Sequence, residues 1–361
     1  MPLVSNWTSI SYGVYCMDYV VCDRGEVCIL GAGVAGSVLA YLLSKRGVRI
    51  RVYDMWRSYV KPCGEAIPSW LLEVIDKHGL PRPRILNTVK RYVIIGSDGR
   101  VVREVEFKDP PWLIIDKSEW INRLRAEVNI IVKPVRSYPR RGIVVDSRGP
   151  FSSRGGKIVV WRAYGKVEKL ADDEAYIVID WSRGVGLAWV FPHGDKANFG
   201  GGFAGVSEPR RYTVKLLSKA GLINTDKVEG EAYSILTIPP RIDLGSDNVV
   251  RVGEAAGLVM SLGGEGIRPA VLSAIALASV VKLEDELVLD VKLYRRLVHG
   301  LVREAKLHAR ILKFASLLGE KAAYRALTMA SDSLLKSWFE GKLNSVSSII
   351  FGMLGRKSDG D

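Results

Sequence analysis

Glutamine is absent from this chain, and cysteine and histidine occur only four times each. Each shortage narrows what the protein does. The cysteines, Cys16, Cys22, Cys28 and Cys63, have no C-x-x-C or other paired ligand spacing, so neither a zinc centre nor a disulfide framework is expected. No apolar run approaches the roughly 20 residues of a membrane span. The longest helix-like one, Ala270 to Val281, is interrupted by serines. No basic segment leading into an apolar one opens the chain, which predicts a cytoplasmic protein without a signal peptide. Also missing are an arginine-rich arm, a zinc-finger spacing and an aromatic RNA-binding motif. The excess of 52 Lys and Arg over 39 Asp and Glu, a net charge of +13, is therefore not read as nucleic-acid binding. It fits a solvated basic surface, a phosphorylated substrate or an anionic membrane face better. The lack of glutamine beside abundant Val, Ile, Arg and Lys resembles the bias of thermophile proteins.

What is present begins with core. At 361 residues, 48% hydrophobic and 25% charged, the chain suits a soluble globular protein large enough for two compact units. Its most informative stretch is VCILGAGVAGSVLAYLLSKRGVRIRVYD, residues 27–54. Val27 to Leu30 reads as a buried parallel strand, followed by Gly31, Gly33 and Gly36 as G-x-G-x-x-G, a helix and a second strand ending in Asp54. In such a unit the first glycine makes the tight turn, the second lets backbone approach a pyrophosphate, and the third lets the helix pack on the strand. The helix N-terminus offers free N–H groups to phosphates, and the terminal acid can accept a hydrogen bond from a ribose.

The pattern along the chain predicts an α/β protein with an inserted antiparallel sheet. Residues 1–24 read as an extension; 25–86, 116–156 and 245–285 as a split Rossmann-like dinucleotide-binding domain; 87–115 and 157–244 as a substrate-binding sheet domain; and 286–361 as a helical C-terminal region. Within this frame, Pro68–His78 suggests a short amphipathic helix. Ser97-Asp98-Gly99 is a hairpin turn, and Lys157 to Phe203 alternates strands with Gly or Asp turns. At Asn248 the parallel pattern returns, with a long helix from about Gly266. Beyond Asp290 apolar residues recur at helical spacing, Leu293, Leu297, Leu301, Leu307, Ile311, Phe314 and Leu318.

A second glycine-rich stretch, VGEAAGLVMSLGGEGIRPA, runs from a short strand into a helix whose N-terminus can face another electron-rich group. GAGVAGS, KPCGEA, DSRGP, LAWVFPHGDKANFGGG and VGEAAGLVMSLGGEGI, in that order, resemble the geranylgeranyl reductase family of FAD-dependent enzymes, within the wider aromatic-hydroxylase-like flavoprotein group. The similarity runs from about Val27 to Val281; the extension and the helical C-terminus match poorly. The resemblance implies that the bound dinucleotide is FAD. Ala35 and Asp54 would then touch its adenosine half, with Cys63, Gly64 and Ala66 near the flavin and Glu254, Gly266 and Ile267 at its ribityl and ring region. Lys117 and Val135 would complete the cofactor site, and Trp189, Phe191 and Pro192 would line the isoprenoid cavity. Four departures stand out: Glu254 replaces the usual Asp, Asp116-Lys117 replaces Asp-Arg and loses a planar fork, Leu187 replaces a tyrosine, and the region after Val135 is short.

By this resemblance the reaction saturates isolated double bonds of geranylgeranyl chains, including archaeal-type ether-lipid precursors. A hydride goes to one carbon and a proton to the other. Cys63 reads either as a proton donor or redox-sensitive group, or as a small residue placed where the ring comes close. His193, with no visible partner, reads as a turn residue; Glu65 and Glu265 are candidate acids that nothing in the sequence ranks. The alternatives are a flavin monooxygenase or halogenase, and a non-enzymatic prenyl carrier, against which the intact Gly31-Gly33-Gly36-Asp54 set argues. No second G-x-G-x-x-G follows a strand, so electrons would come from a transient donor, a ferredoxin-type protein or a soluble reduced cofactor. The expected partners are a polyprenyl lipid and, through the basic charge and Lys292-Leu293-Tyr294-Arg295-Arg296-Leu297, a peripheral contact with an anionic membrane at its inner face.

Overall fold

The computed structural model describes residues 20–168, 170–181, 185–223, 228–246 and 248–343. Most of the N-terminal extension and the end of the C-terminal region thus lie outside the described residues. The first glycine motif folds as expected. Strand Val27–Leu30 is wholly buried and sits at the centre of a five-stranded parallel sheet. Ile50–Asp54 and Ile143–Asp146 flank it, with Ile130–Val132 and Val249–Arg251 at the edges. Register places Leu30 beside Tyr53 on one side and Asp146 on the other. All three strands therefore end at one level, where a parallel sheet binds ligands. Helix Val34–Lys45 buries Val38, Leu39 and Leu43 in the same core as Val271, Ala274 and Leu277 of helix Ile267–Val280, so the two glycine-rich motifs share one packed layer.

A seven-stranded sheet stands beside it, ordered Glu229–Arg241, Arg154–Gly165, Lys196–Phe203, Gly186–His193, Glu174–Asp180, Arg91–Gly96 and Val101–Glu106. It is antiparallel except where Arg91–Gly96 runs parallel to Glu174–Asp180. The Ser97-Asp98-Gly99 hairpin is present, with Gly99 at φ +86°. A smaller antiparallel sheet joins Ala66–Pro68, Trp112–Ile115 and Ile85–Val89. Pro68 thereby ends a strand, and the expected helix shortens to Leu71–Lys77. Among the described residues, four helices, Val291–Leu297, His299–Leu318, Glu320–Met329 and Asp332–Phe339, follow Asp290.

The expectation for the cysteines is corrected. Cys22 and Cys28 form a disulfide. A turn through Gly25, at φ +75°, folds residues 20–24 back beside the first strand and brings the two Cα atoms within 5.8 Å, a closure that metal-ligand spacing could not reveal. Glu229–Arg241 is a long strand although it contains Pro239 and Pro240. It lies at a sheet edge, and its pairing shifts register opposite the prolines, between Gly155 and Lys157, the two settings in which a strand tolerates a missing N–H.

Candidate active site

The two glycine-rich turns and the KPCGEA loop open into one cavity of about 1410 Å³, larger than the roughly 300–1,000 Å³ of a typical small-molecule pocket. At its polar end the glycines divide their work as the motif predicts. Gly31 is at φ +96°. A Cβ on Gly36 would stand 1.9 Å from the Gly31 carbonyl oxygen, so Gly36 serves helix–strand packing. Gly33 is different: its backbone is extended, and a Cβ there would meet nothing closer than Tyr59 Cε2 at 3.8 Å. Helices Val34–Lys45 and Ile267–Val280 both start without a side-chain cap, at Gly33 and Gly266. Two uncapped helix N-termini facing one groove suit a pyrophosphate and a second electron-rich group.

Asp54 lines this end, but its carboxylate is engaged. Ala32 N donates to Oδ2 at 2.5 Å and Trp56 N to Oδ1 at 2.8 Å, tying the glycine turn to the second strand. Arg125, buried on helix Lys117–Ala126, donates to the Ala32 carbonyl at 2.6 Å and that of Arg57 at 3.0 Å, and lies 3.4 Å from Asp54. Arg125, a residue the motifs did not mark, thus ties the glycine turn to the segment after Asp54.

The KPCGEA loop is pinned from below by Lys117, whose Nζ donates to the Lys61 carbonyl and to Cys63 Sγ, each at 2.7 Å. Burial alone would strip this ammonium of its proton; Cys63, Tyr59 and Glu65 around it hold it well above the ordinary lysine range. Glu254, despite its extra methylene, closes the loop from the other side. It accepts from Lys61 Nζ at 2.7 Å and from Thr237 N at 2.9 Å. Ala35, Cys63, Gly64, Ala66, Lys117, Val135, Glu254, Gly266 and Ile267 all line the cavity.

The other end is apolar. Period two along strand Gly186–His193 turns Leu187, Trp189 and Phe191 into the cavity. Pro192, by the same alternation, does not line it, which corrects its expected role. Trp189 is held firmly. Its Nε1 donates to Asn198 Oδ1 at 3.0 Å, and Asn198 Nδ2 donates to the Cys63 carbonyl at 2.9 Å. A Cβ on Gly200 would come within 2.5 Å of the Trp189 ring. The Asn-x-Gly that follows the FP motif thus anchors the indole and leaves room for it. Gly64 does the same on the loop, where a Cβ would meet Phe191 at 2.8 Å. The far wall comes from the C-terminal helices, through Leu307, Ile311, Leu334, Leu335 and Phe339. Helical spacing announced these helices but not that they close the cavity.

The candidate acids separate clearly. Glu265 gives both oxygens to the buried Arg268, at 2.7 and 2.9 Å, and Arg268 also holds Glu304 at 2.8 Å. Glu65 is buried at φ +61°, the one described non-glycine residue with positive φ, a strain of order 1–3 kcal/mol. Its Oε2 lies 2.8 Å from His193 Nε2, so His193 is no plain turn residue and has a partner 128 residues away. Lys292–Leu297 turns most of its side chains outward: Lys292, Arg295, Arg296 and Leu297 are exposed, while Tyr294 is buried and bonds to the Arg251 carbonyl. Further exposed apolar residues lie at Phe314 (62% exposed), which lines the cavity, and at Leu317 (75%) on the same helix. No helix among the described residues is long and apolar enough to cross a membrane.

The NAD(P)-binding Rossmann-like domain family matches residues 29–58. Across a larger span the chain is 24% identical to the digeranylgeranylglycerophospholipid reductase of Methanocaldococcus jannaschii, covering 68% of this chain and 73% of that one. It is also 24% identical to the geranylgeranyl diphosphate reductase of Rhodobacter capsulatus, covering 66% and 70%. Among solved structures, a geranylgeranyl bacteriochlorophyll reductase-like protein from Thermoplasma acidophilum superposes with a TM-score of 0.63 at 16% identity, over 93% of this chain and 97% of that one. The p-nitrophenol 4-monooxygenase of Pseudomonas putida superposes with a TM-score of 0.58 at 15% identity, over 92% and 97%. The chain therefore has the Rossmann-like fold shared by flavin-dependent reductases and oxygenases, and its curated relatives carry the geranylgeranyl reductase names that its motifs pointed to.

Proposed function

We propose that this chain is an FAD-dependent reductase that saturates isolated double bonds of polyprenyl chains, with geranylgeranyl precursors of archaeal-type ether lipids as substrates. The observation that carries this reading is the continuity of one cavity. Its polar end has two uncapped helix N-termini and an open Gly33; its apolar end is walled by Trp189, Phe191 and the C-terminal helices. A dinucleotide and a long hydrocarbon fit opposite ends of such a space, with the KPCGEA loop between them. Burying the chain is favourable by about 0.8 kcal/mol per CH₂.

When bound, reduced flavin supplies a hydride. The residues of the chain do the rest. Gly33 and the N–H groups after it would take the pyrophosphate, and Asp54 would hold the glycine turn in place for the ribose. Lys117, Lys61 and Glu254 fix the loop that carries Cys63, Gly64 and Ala66. Trp189, anchored through Asn198, positions the alkene and excludes water. Electrons would come from a transient ferredoxin-type protein or a soluble reduced cofactor. The exposed Phe314 and Leu317, with the basic charge, would dock the cavity on an anionic membrane surface.

The test is anaerobic. Reduced, flavin-loaded protein should return to its oxidised spectrum when a geranylgeranyl lipid is added without oxygen. A monooxygenase or halogenase would wait for oxygen, and a prenyl carrier would purify without flavin; either result would displace this reading.

A further inference from the structure

We propose that Glu65 donates the proton that completes alkene reduction, and that His193 relays protons to it from solvent. This rests on the reductase reading above, and adds to it the acid that the reaction requires.

Geometry singles out Glu65. It lines the cavity on the KPCGEA loop, next to Gly64, against which Phe191 packs. Its side chain is 4% exposed while that of His193 is 18% exposed, and the two are 2.8 Å apart. The pair therefore spans from the cavity wall to the protein surface. His193 ends its strand, just before the turn at Gly194, and its ring lies against Tyr164 at 5.0 Å between centroids. The strained φ of Glu65 points the same way. Glycine would sit there without strain, and the loop already uses glycine one position earlier, so the carboxyl is what the strain retains. The rival groups are committed elsewhere. Both oxygens of Glu265 are on Arg268, and Cys63 Sγ accepts hydrogen bonds from Lys117 Nζ and Glu65 N. The charged and titratable groups facing the pair are Cys63, Lys117, Tyr164, Arg162 over the Tyr164 ring, and Lys196 opposite His193 in the sheet.

The step balances. A hydride from reduced flavin, carrying both electrons, forms one new C–H bond as the double bond opens. The Glu65 O–H bond breaks and its proton forms the second. The carboxylate is reprotonated from His193 Nε2, and the imidazole recovers a proton from water. Only the flavin is oxidised.

Glu65→Gln, Glu65→Gly and His193→Gln test this in the flavin-loaded protein. Glu65→Gly should melt no lower than wild type once both are stripped of flavin, since it relieves the strain, and all three should retain flavin. Turnover should fall about a hundredfold or more in the Glu65 variants, within the range of general acid catalysis. Added formate should partly rescue Glu65→Gly. His193→Gln should fall less and change the shape of the pH–rate profile. If the wild type reduces the lipid while Glu65→Gln retains turnover within threefold, the proton assignment fails and the reductase reading stands. If the wild type reduces nothing, the reductase reading fails first. Loss of flavin from Glu65→Gln, with turnover restored by added FAD, would make Glu65 a structural residue and overturn the proposal.

Discussion

Two glycines of one motif should respond oppositely to the same added methyl group. In Gly36→Ala the new Cβ would stand 1.9 Å from the Gly31 carbonyl oxygen, 2.7 Å from Ser147 Oγ and 2.9 Å from the Gly31 carbonyl carbon. Two of these are backbone atoms in the central turn, so helix Val34–Lys45 has to lift off the sheet. Overpacking of this kind costs on the order of 3 kcal/mol. In Gly33→Ala the backbone is already extended and the nearest atom is 3.8 Å away, an ordinary contact. The apoprotein should lose nothing and gain about 0.4–1 kcal/mol through the unfolded chain. The cost appears only with cofactor, where the methyl takes the space for the pyrophosphate. If the same overpacking of about 1–3 kcal/mol falls on the bound state, flavin affinity drops about 5- to 150-fold. Thermal unfolding of flavin-free protein by circular dichroism, paired with flavin titration by fluorescence, reads both effects. Gly33→Val should bind no flavin. A Gly33→Ala protein that melts below wild type, or binds flavin as tightly, would refute the assignment of that groove to the cofactor.

Trp189→Ala should lower turnover of long prenyl substrates at least tenfold, the usual scale for a lost positioning contact, while leaving flavin occupancy intact; parallel loss of flavin would make the indole a core residue only. Burial pushes the Glu304 carboxyl up to about 7 from 4.5, against the pull of Arg268. The folded state thus keeps a proton the unfolded chain releases, and that stabilisation is full below about 4.5 and lost as pH rises to about 7. Stability of Glu304→Gln relative to wild type should climb by up to about 1.4 kcal/mol per pH unit across that window; a flat difference in urea unfolding would contradict this. Sedimentation with anionic liposomes should be salt-sensitive and weakened by Phe314→Ser with Leu317→Ser; equal recovery with neutral liposomes would remove the docking surface.

Where backbone geometry dictates residue type, the chain was readable. Gly31, Gly33 and Gly36 gave the dinucleotide fold because the turn needs a positive φ at Gly31, Gly36 leaves no room for a side chain, and Gly33 keeps its backbone open to the cavity. Trp189 and Phe191 came from the resemblance, and the alternation of their strand, which turns both into the cavity, turns Pro192 away. What stayed hidden depended on partners distant in sequence. Glu65 and His193 meet only because the KPCGEA loop crosses the end of a strand 128 residues on, and Arg125 reaches Ala32 from another helix. Helical periodicity in Leu307 and Ile311 gives a buried face but not what it covers. Asn198 was visible as part of a motif, yet its link between Trp189 and the Cys63 carbonyl required three elements to be placed together.

Mass spectrometry of the lipid product tests the central claim most directly. Flavin-loaded protein, reduced under argon in deuterated water and mixed with a geranylgeranyl lipid, should yield product with two deuterium atoms added across each saturated bond, because the N–H of reduced flavin and the acid proton both exchange with solvent. Unchanged lipid under argon, with an oxygenated or halogenated product appearing only once oxygen is admitted, would contradict the account.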